Sequence, residues 1–143
     1  MPSNNYSDDR NERVIARKNN AKKELLGNYK LPKTTRYVSC IDLHDSKTRD
    51  FVIQGLADLG VAVFITGKTA SKSPLIKSVH DFDHEFLEGC DFLVSDSHTS
   101  PARITACILA GIIPVITKNT PFKGMFSQFD PMQFTGNSFV YDG

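Results

Sequence analysis

The sequence predicts an α/β domain built on an open parallel sheet with helices on both faces. Three observations carry that expectation. Short apolar runs alternate with segments of helical periodicity along most of the chain. The runs are continuously apolar rather than alternating with polar residues, as strands buried on both faces are. Glycine stands where three of the four helical segments should stop, at Gly27, Gly60 and Gly111.

Residues 1 to 12 are polar and read as a disordered tail. Residues 13 to 35 form a lead-in. Arg13 to Leu26 is a helix with a weak stripe of Val14, Ile15, Ala21, Leu25 and Leu26, and an extended segment opens at Pro32. The domain proper is expected over 36 to 143. Tyr37 to Ile41 suits a buried strand. Asp45 or Ser46 can cap a helix running to Leu59, with Phe51, Val52, Leu56 and Leu59 at helical spacing. Val61 to Ile65 is a β-branched strand between Gly60 and Gly67. Phe82 to Glu88 reads as a short helix leading into a strand at Phe92 to Val94. Pro101 opens a helix to Ala110, and a strand follows at Ile112 to Ile116. A loop rich in Phe, Lys, Gly and Gln precedes a last strand at Ser138 to Tyr141.

With 143 residues, 40% of them hydrophobic, the chain can bury a core without disulfides. Cys40, Cys90 and Cys107 are expected as buried free thiols in a reducing compartment. A net charge of +1 gives no pointer to nucleic acid or to an acidic membrane surface. The polar start has no signal-peptide pattern, and the longest apolar run, Cys107 to Ile116, is too short to span a bilayer. A cytoplasmic location is therefore expected.

Ligands of such sheets sit beyond the carboxyl ends of the strands. That directs attention to the loops at 42–47, 66–73, 95–100 and 117–123. Thr66-Gly67-Lys68-Thr69 looks like the end of a phosphate-binding loop, yet Ala62 stands where the leading glycine is required. His80-Asp81-Phe82-Asp83-His84 offers two imidazoles one helical turn apart. Two imidazoles are too few for a structural zinc site, and a capped helix start accounts for the acidic residues. Ser95-Asp96-Ser97-His98 collects a hydroxyl, a carboxylate and an imidazole, for which loop capping is the default. No metal and no cofactor are expected.

Taken in order, these segments resemble the C-terminal Rossmann-like domain of bacterial starch and glycogen synthases, which are GT-B glycosyltransferases. Lys18-Asn19-Asn20 with Lys22 to Leu26 is similar to the family's approach helix. Tyr37-Val38-Ser39 followed by Lys47 is similar to its first strand and lysine. Val63 to Gly67, His84 to Asp91, Phe92 to Ser95 and Ala110 to Ile116 match later segments, and Gly136 to Gly143 is close to the family's "GNGFVFDG". The resemblance spans about residues 17 to 143. It implies binding of ADP- or UDP-glucose, with Lys47, Lys68, Ser95, His98, Asn119 and Thr120 around phosphate and sugar.

The departures bear on activity. Cys40 or Ile41 falls where the family has an Arg, His98 stands where it has a Glu, and Pro101 replaces a loop glycine. Asn119-Thr120-Pro121 replaces a pair of glycines whose amides approach the donor. Transfer in this fold also needs a second domain closing over the diphosphate. The chain is therefore expected to bind a nucleotide sugar without being a competent synthase by itself. A protein-interaction module on the same fold is the alternative. Phe122, Met125, Phe126, Phe129, Met132 and Phe134 would then serve a partner or self-association. A nucleoside deoxyribosyltransferase is a further alternative, opposed by the absence of any carboxylate between Ala102 and Ala110.

Overall fold

A computed structural model describes residues 5–117 and 139–141. Six strands form one sheet: β1 (Val38–Asp42), β2 (Ala62–Thr66), β3 (Ile76–Val79), β4 (Phe92–Ser95), β5 (Ile113–Thr117) and β6 (Phe139–Tyr141). The helices are α1 (Asn5–Asn28), α2 (Ser46–Asp58), α3 (His84–Glu88) and α4 (Pro101–Leu109). The strand order is β3-β2-β1-β4-β5-β6, and every pairing is parallel. This is the order of a doubly wound Rossmann-like sheet, in which the direction of strand addition reverses between β1 and β4 while the strands stay parallel.

Alternate side chains of the central strands feed two separate cores. Val38, Cys40, Phe64 and Leu93 pack against Leu25 and Leu26 of α1, Leu87 of α3 and Cys107 of α4. Ile41, Val63 and Ile65 face the other way, onto Ile53 and Ala57 of α2. The first core contains an aromatic cluster, with the Phe64 ring 5.0 Å from Tyr29 and 4.8 Å from Phe86, both edge-on.

The end of the sheet opposite the ligand crevice is fastened by one carboxylate. Asp91 accepts a hydrogen bond from the Val38 amide at 2.8 Å and pairs with Lys22 at 2.8 Å. It thereby holds α1 to the start of β1. Lys18 donates to the carbonyls of Glu88 and Cys90. Its burial holds the Lys18 pKa below the ordinary lysine value, against the opposing charge of Asp91.

Several expectations change in detail. Helix α1 begins at Asn5, eight residues before the expected start, and it passes Gly27. It ends in a Schellman closure, Lys30 N to Gly27 O at 3.2 Å and Leu31 N to Leu26 O at 2.9 Å. Lys30 supplies the left-handed residue, at φ 54°. The face of α2 is also different. Phe51 and Leu59, expected in the stripe, are about 80% exposed, at 81% and 80%, while Ile53 and Ala57 are buried. Strand β3 is additional to the strands expected from the sequence. It is a four-residue edge strand carrying Lys77 and Ser78, and a polar edge strand leaves little apolar signal.

Candidate functional site

The reversal between β1 and β4 splays their following loops apart, and the crevice forms there. Beyond β1 the chain runs Leu43-His44-Asp45 into α2. Asp45 caps that helix, accepting from the Thr48 amide at 3.0 Å and from its hydroxyl at 2.7 Å. These two bonds hold the Asp45 carboxyl below the usual carboxylate range. Beyond β4 the chain runs from Asp96 to Ser100, which caps α4. Within that loop the Thr99 hydroxyl donates to the Asp42 carbonyl at 3.1 Å and accepts from the Asp96 amide at 3.2 Å.

Asp96 joins the two loops. One oxygen accepts from the His44 amide at 2.7 Å. The other lies 2.8 Å from His44 Nδ1 and accepts from the His98 amide at 2.9 Å. Partial burial pushes the Asp96 carboxyl up, but the three hydrogen bonds from His44 and His98 outweigh it. Its pKa lies below the ordinary carboxylate value. A carboxylate can only accept from Nδ1, which assigns a proton to that nitrogen. Nε2 stands 3.7 Å from Asp42 Oδ1, and the His44 and His98 rings lie 5.7 Å apart, edge to face.

Asp42 is held from behind. Arg103 Nε is 3.5 Å from its other oxygen, and Arg103 Nη2 reaches Asp81 at 3.2 Å. The guanidinium also lies 5.4 Å over the Phe82 ring. The Asp81 carboxyl is held below its ordinary value by the Phe82 amide and by Arg103.

The resulting crevice has a volume of about 460 Å³ and is lined by Leu43, His44, Asp45, Thr48, Asp96, Ser97, His98, Thr117 and Tyr141. Eight of these nine residues carry a hydroxyl, imidazole or carboxylate, groups that can meet a hydroxylated ligand. The Tyr141 hydroxyl donates to the Ser95 carbonyl and ties β6 to the crevice floor. A larger depression of about 630 Å³ lies between α1 and α3. It is remote from the strand ends, and its Arg17 and Glu88 are already paired at 2.6 Å.

The expected site residues fall at different places. His98 lines the crevice. Lys47 is exposed in the first turn of α2, between the lining residues Asp45 and Thr48. Ser95 lies beneath the crevice, fully buried, its hydroxyl donating to the Val115 carbonyl at 2.8 Å. Lys68 opens onto a separate depression with Thr69, Ser71 and Lys72, at the ends of β2 and β3. Asn119 and Thr120 lie outside the described residues, as does the aromatic segment from Phe122 to Phe134.

The other motifs prove structural. No helix follows Gly67-Lys68-Thr69, as a phosphate-binding loop requires. Instead Thr69 donates to Asp50 at 2.6 Å, and Arg49 donates to the Lys68 and Thr66 carbonyls. His80 lies before α3, so it shares no helical face with His84, and Asp83 caps that helix. Asp96 does cap its own loop, as expected. Its bond to His44, 52 residues away, has no signature in sequence.

No protein-family model matches the chain, and no curated protein matches it. Among the described residues no helix is long and apolar enough to cross a membrane.

Proposed function

We propose that the chain binds a nucleotide sugar in the crevice between the β1–α2 and β4–α4 loops. One observation carries the reading. The ligand-binding position of a Rossmann-like sheet is lined here by side chains matched to sugar hydroxyls, and the exposed Lys47 stands in sequence between the lining residues Asp45 and Thr48. The ordered series of segments similar to starch and glycogen synthases supports it. In this reading His98, His44 and Asp96 meet the sugar. Lys47, beside the amino end of α2, faces the diphosphate. Asn119 and Thr120 enter this reading from the resemblance alone, as the residues next after β5 in sequence, and Lys68 lies outside the crevice, on the neighbouring depression.

Transfer to a carbohydrate acceptor is not proposed for this chain alone. Cys40 and Ile41, where the synthases carry an Arg, are buried at 0% and 1% exposure and cannot touch a ligand.

The test is a titration of the ¹⁵N-labelled chain with ADP-glucose, UDP-glucose, ADP and UDP. Millimolar sugar nucleotide should shift the amides of His44, Thr48 and Asp96 to His98. His98→Ala should weaken binding by about tenfold, the loss of roughly one charge-free hydrogen bond and its packing. No shift in these loops at millimolar ligand would sink the reading.

A further inference from the structure

We propose that His44 is a general base at this crevice and that the chain hydrolyses the glycosyl–phosphate bond of the sugar nucleotide, a step that rests on the binding reading above. His44 is held at two points. One carboxylate grips both its backbone and its ring, Asp96 Oδ2 at 2.7 Å from the amide and Oδ1 at 2.8 Å from Nδ1. Ring rotation and tautomer are set together, and Nε2 is the nitrogen left to accept a proton. The side chain is 45% exposed, and the residue lines the crevice.

The proposal sets the attacking water between Nε2 and the Asp42 carboxylate, whose side chain is partly exposed. The 3.7 Å separation of Nε2 and Asp42 Oδ1 is too long for a direct hydrogen bond. It lets a single oxygen sit at ordinary hydrogen-bond distance from both atoms, giving one hydrogen to each. Asp42 is steadied for this by Arg103 at 3.5 Å. The imidazolium formed on proton transfer lies between two carboxylates, Asp96 and Asp42, which stabilise it.

The step balances without a further reactant. The water oxygen bonds to the anomeric carbon as the bond from that carbon to the diphosphate oxygen breaks. The electron pair leaves with the nucleoside diphosphate, and the water proton passes to His44 Nε2. The products are the free sugar and the nucleoside diphosphate. Because water is the acceptor, no second domain is needed to carry one.

The experiment follows ADP-glucose and UDP-glucose with the full chain by ³¹P NMR, with binding measured on the same samples by amide shifts. Wild type should release nucleoside diphosphate. His44→Gln should lower the rate at saturating sugar nucleotide by about 100-fold or more, well beyond any loss of affinity read from the amide shifts. Asp96→Asn, which loosens the hold on His44, should lower kcat by a larger factor than it raises KM. If His44→Gln does not fold, carbethoxylation of wild-type imidazoles decides: release should stop and return with hydroxylamine. Binding without release, release that survives carbethoxylation, or an unchanged rate in His44→Gln overturns the hydrolytic proposal alone. Absence of binding overturns the nucleotide-sugar reading and this proposal with it.

Discussion

At the scale of the residue, the contrast is between groups that meet the crevice and groups the fold has spent. Ser95 and His98 are three positions apart in sequence, yet one is fully buried under the floor and the other lines the opening. The cysteines are at the spent extreme. Cys40, Cys90 and Cys107 are free and buried, and the Cys40 and Cys90 sulfurs lie 3.1 Å apart. Burial pushes the Cys40 thiol well above its ordinary value, and burial likewise pushes Cys107 up to about 12. Alkylation needs the thiolate and access; Cys40 and Cys107 have neither, and Cys90 is fully buried. Iodoacetamide at pH 8 should therefore leave the native protein unlabelled over minutes and add three labels after denaturation, as read by intact mass. Rapid native labelling of Cys40 or Cys107 would contradict the burial. Free, buried thiols were legible in the sequence, because Cys40 and Cys107 sit in apolar runs. The contact between Cys40 and Cys90 was not, since it joins positions 50 apart.

At the scale of the element, two positions expose how packing and backbone geometry act separately. A Cβ at Gly89 would stand 3.0 Å from the Ala21 carbonyl oxygen and 3.0 Å from Leu25 Cδ2, so α1 approaches the end of α3 only because the side chain is absent. Gly89→Ala should cost about 1–3 kcal/mol through displacement of α1. Lys30 is the opposite case, a side chain in a left-handed conformation at the closure of α1. Lys30→Gly should stabilise by about 1 kcal/mol, because that conformation is strained for an L residue. Urea unfolding of the two variants should give midpoints displaced in opposite directions. Equal midpoints would show that α1 is not packed as described. The elements themselves were mostly legible: Pro101, Asp45 and Gly60 mark helix ends in sequence and stand there in the structure. The buried face of α2 was not. Apolar residues at 51, 52, 53, 56, 57 and 59 surround so much of the helix that periodicity alone selects no single stripe.

At the scale of the whole molecule, ionisation brackets stability from both sides. The Asp45, Asp81 and Asp96 carboxyls have folded pKa values below their ordinary ones. The unfolded chain therefore takes up protons first as pH falls, and their stabilisation is present above about pH 4 and lost below it as pH drops through the folded values. The Cys40 and Cys107 thiols are raised, so the unfolded chain releases protons first on the alkaline side. Stability should then decline above about pH 9. Urea midpoints measured from pH 2 to pH 11 should form a plateau with both limbs, and Asp96→Asn should flatten the acid limb. An acid limb of unchanged slope in that variant would remove Asp96 from the account.

What the sequence by itself determined is the class and order of the elements. Continuous apolar runs demand a sheet covered on both faces, and glycine, proline and capping residues punctuate it locally. It also directed attention to the loops at the strand ends, His98 among them. Only the tertiary structure decided which of those loops meet. The order β3-β2-β1-β4-β5-β6 sets the carboxyl ends of β1 and β4 side by side, and that adjacency brings Asp96 to His44 and Arg103 to Asp42. Strand neighbours are chosen by burial over the whole sheet, a long-range term that no local pattern of residues encodes.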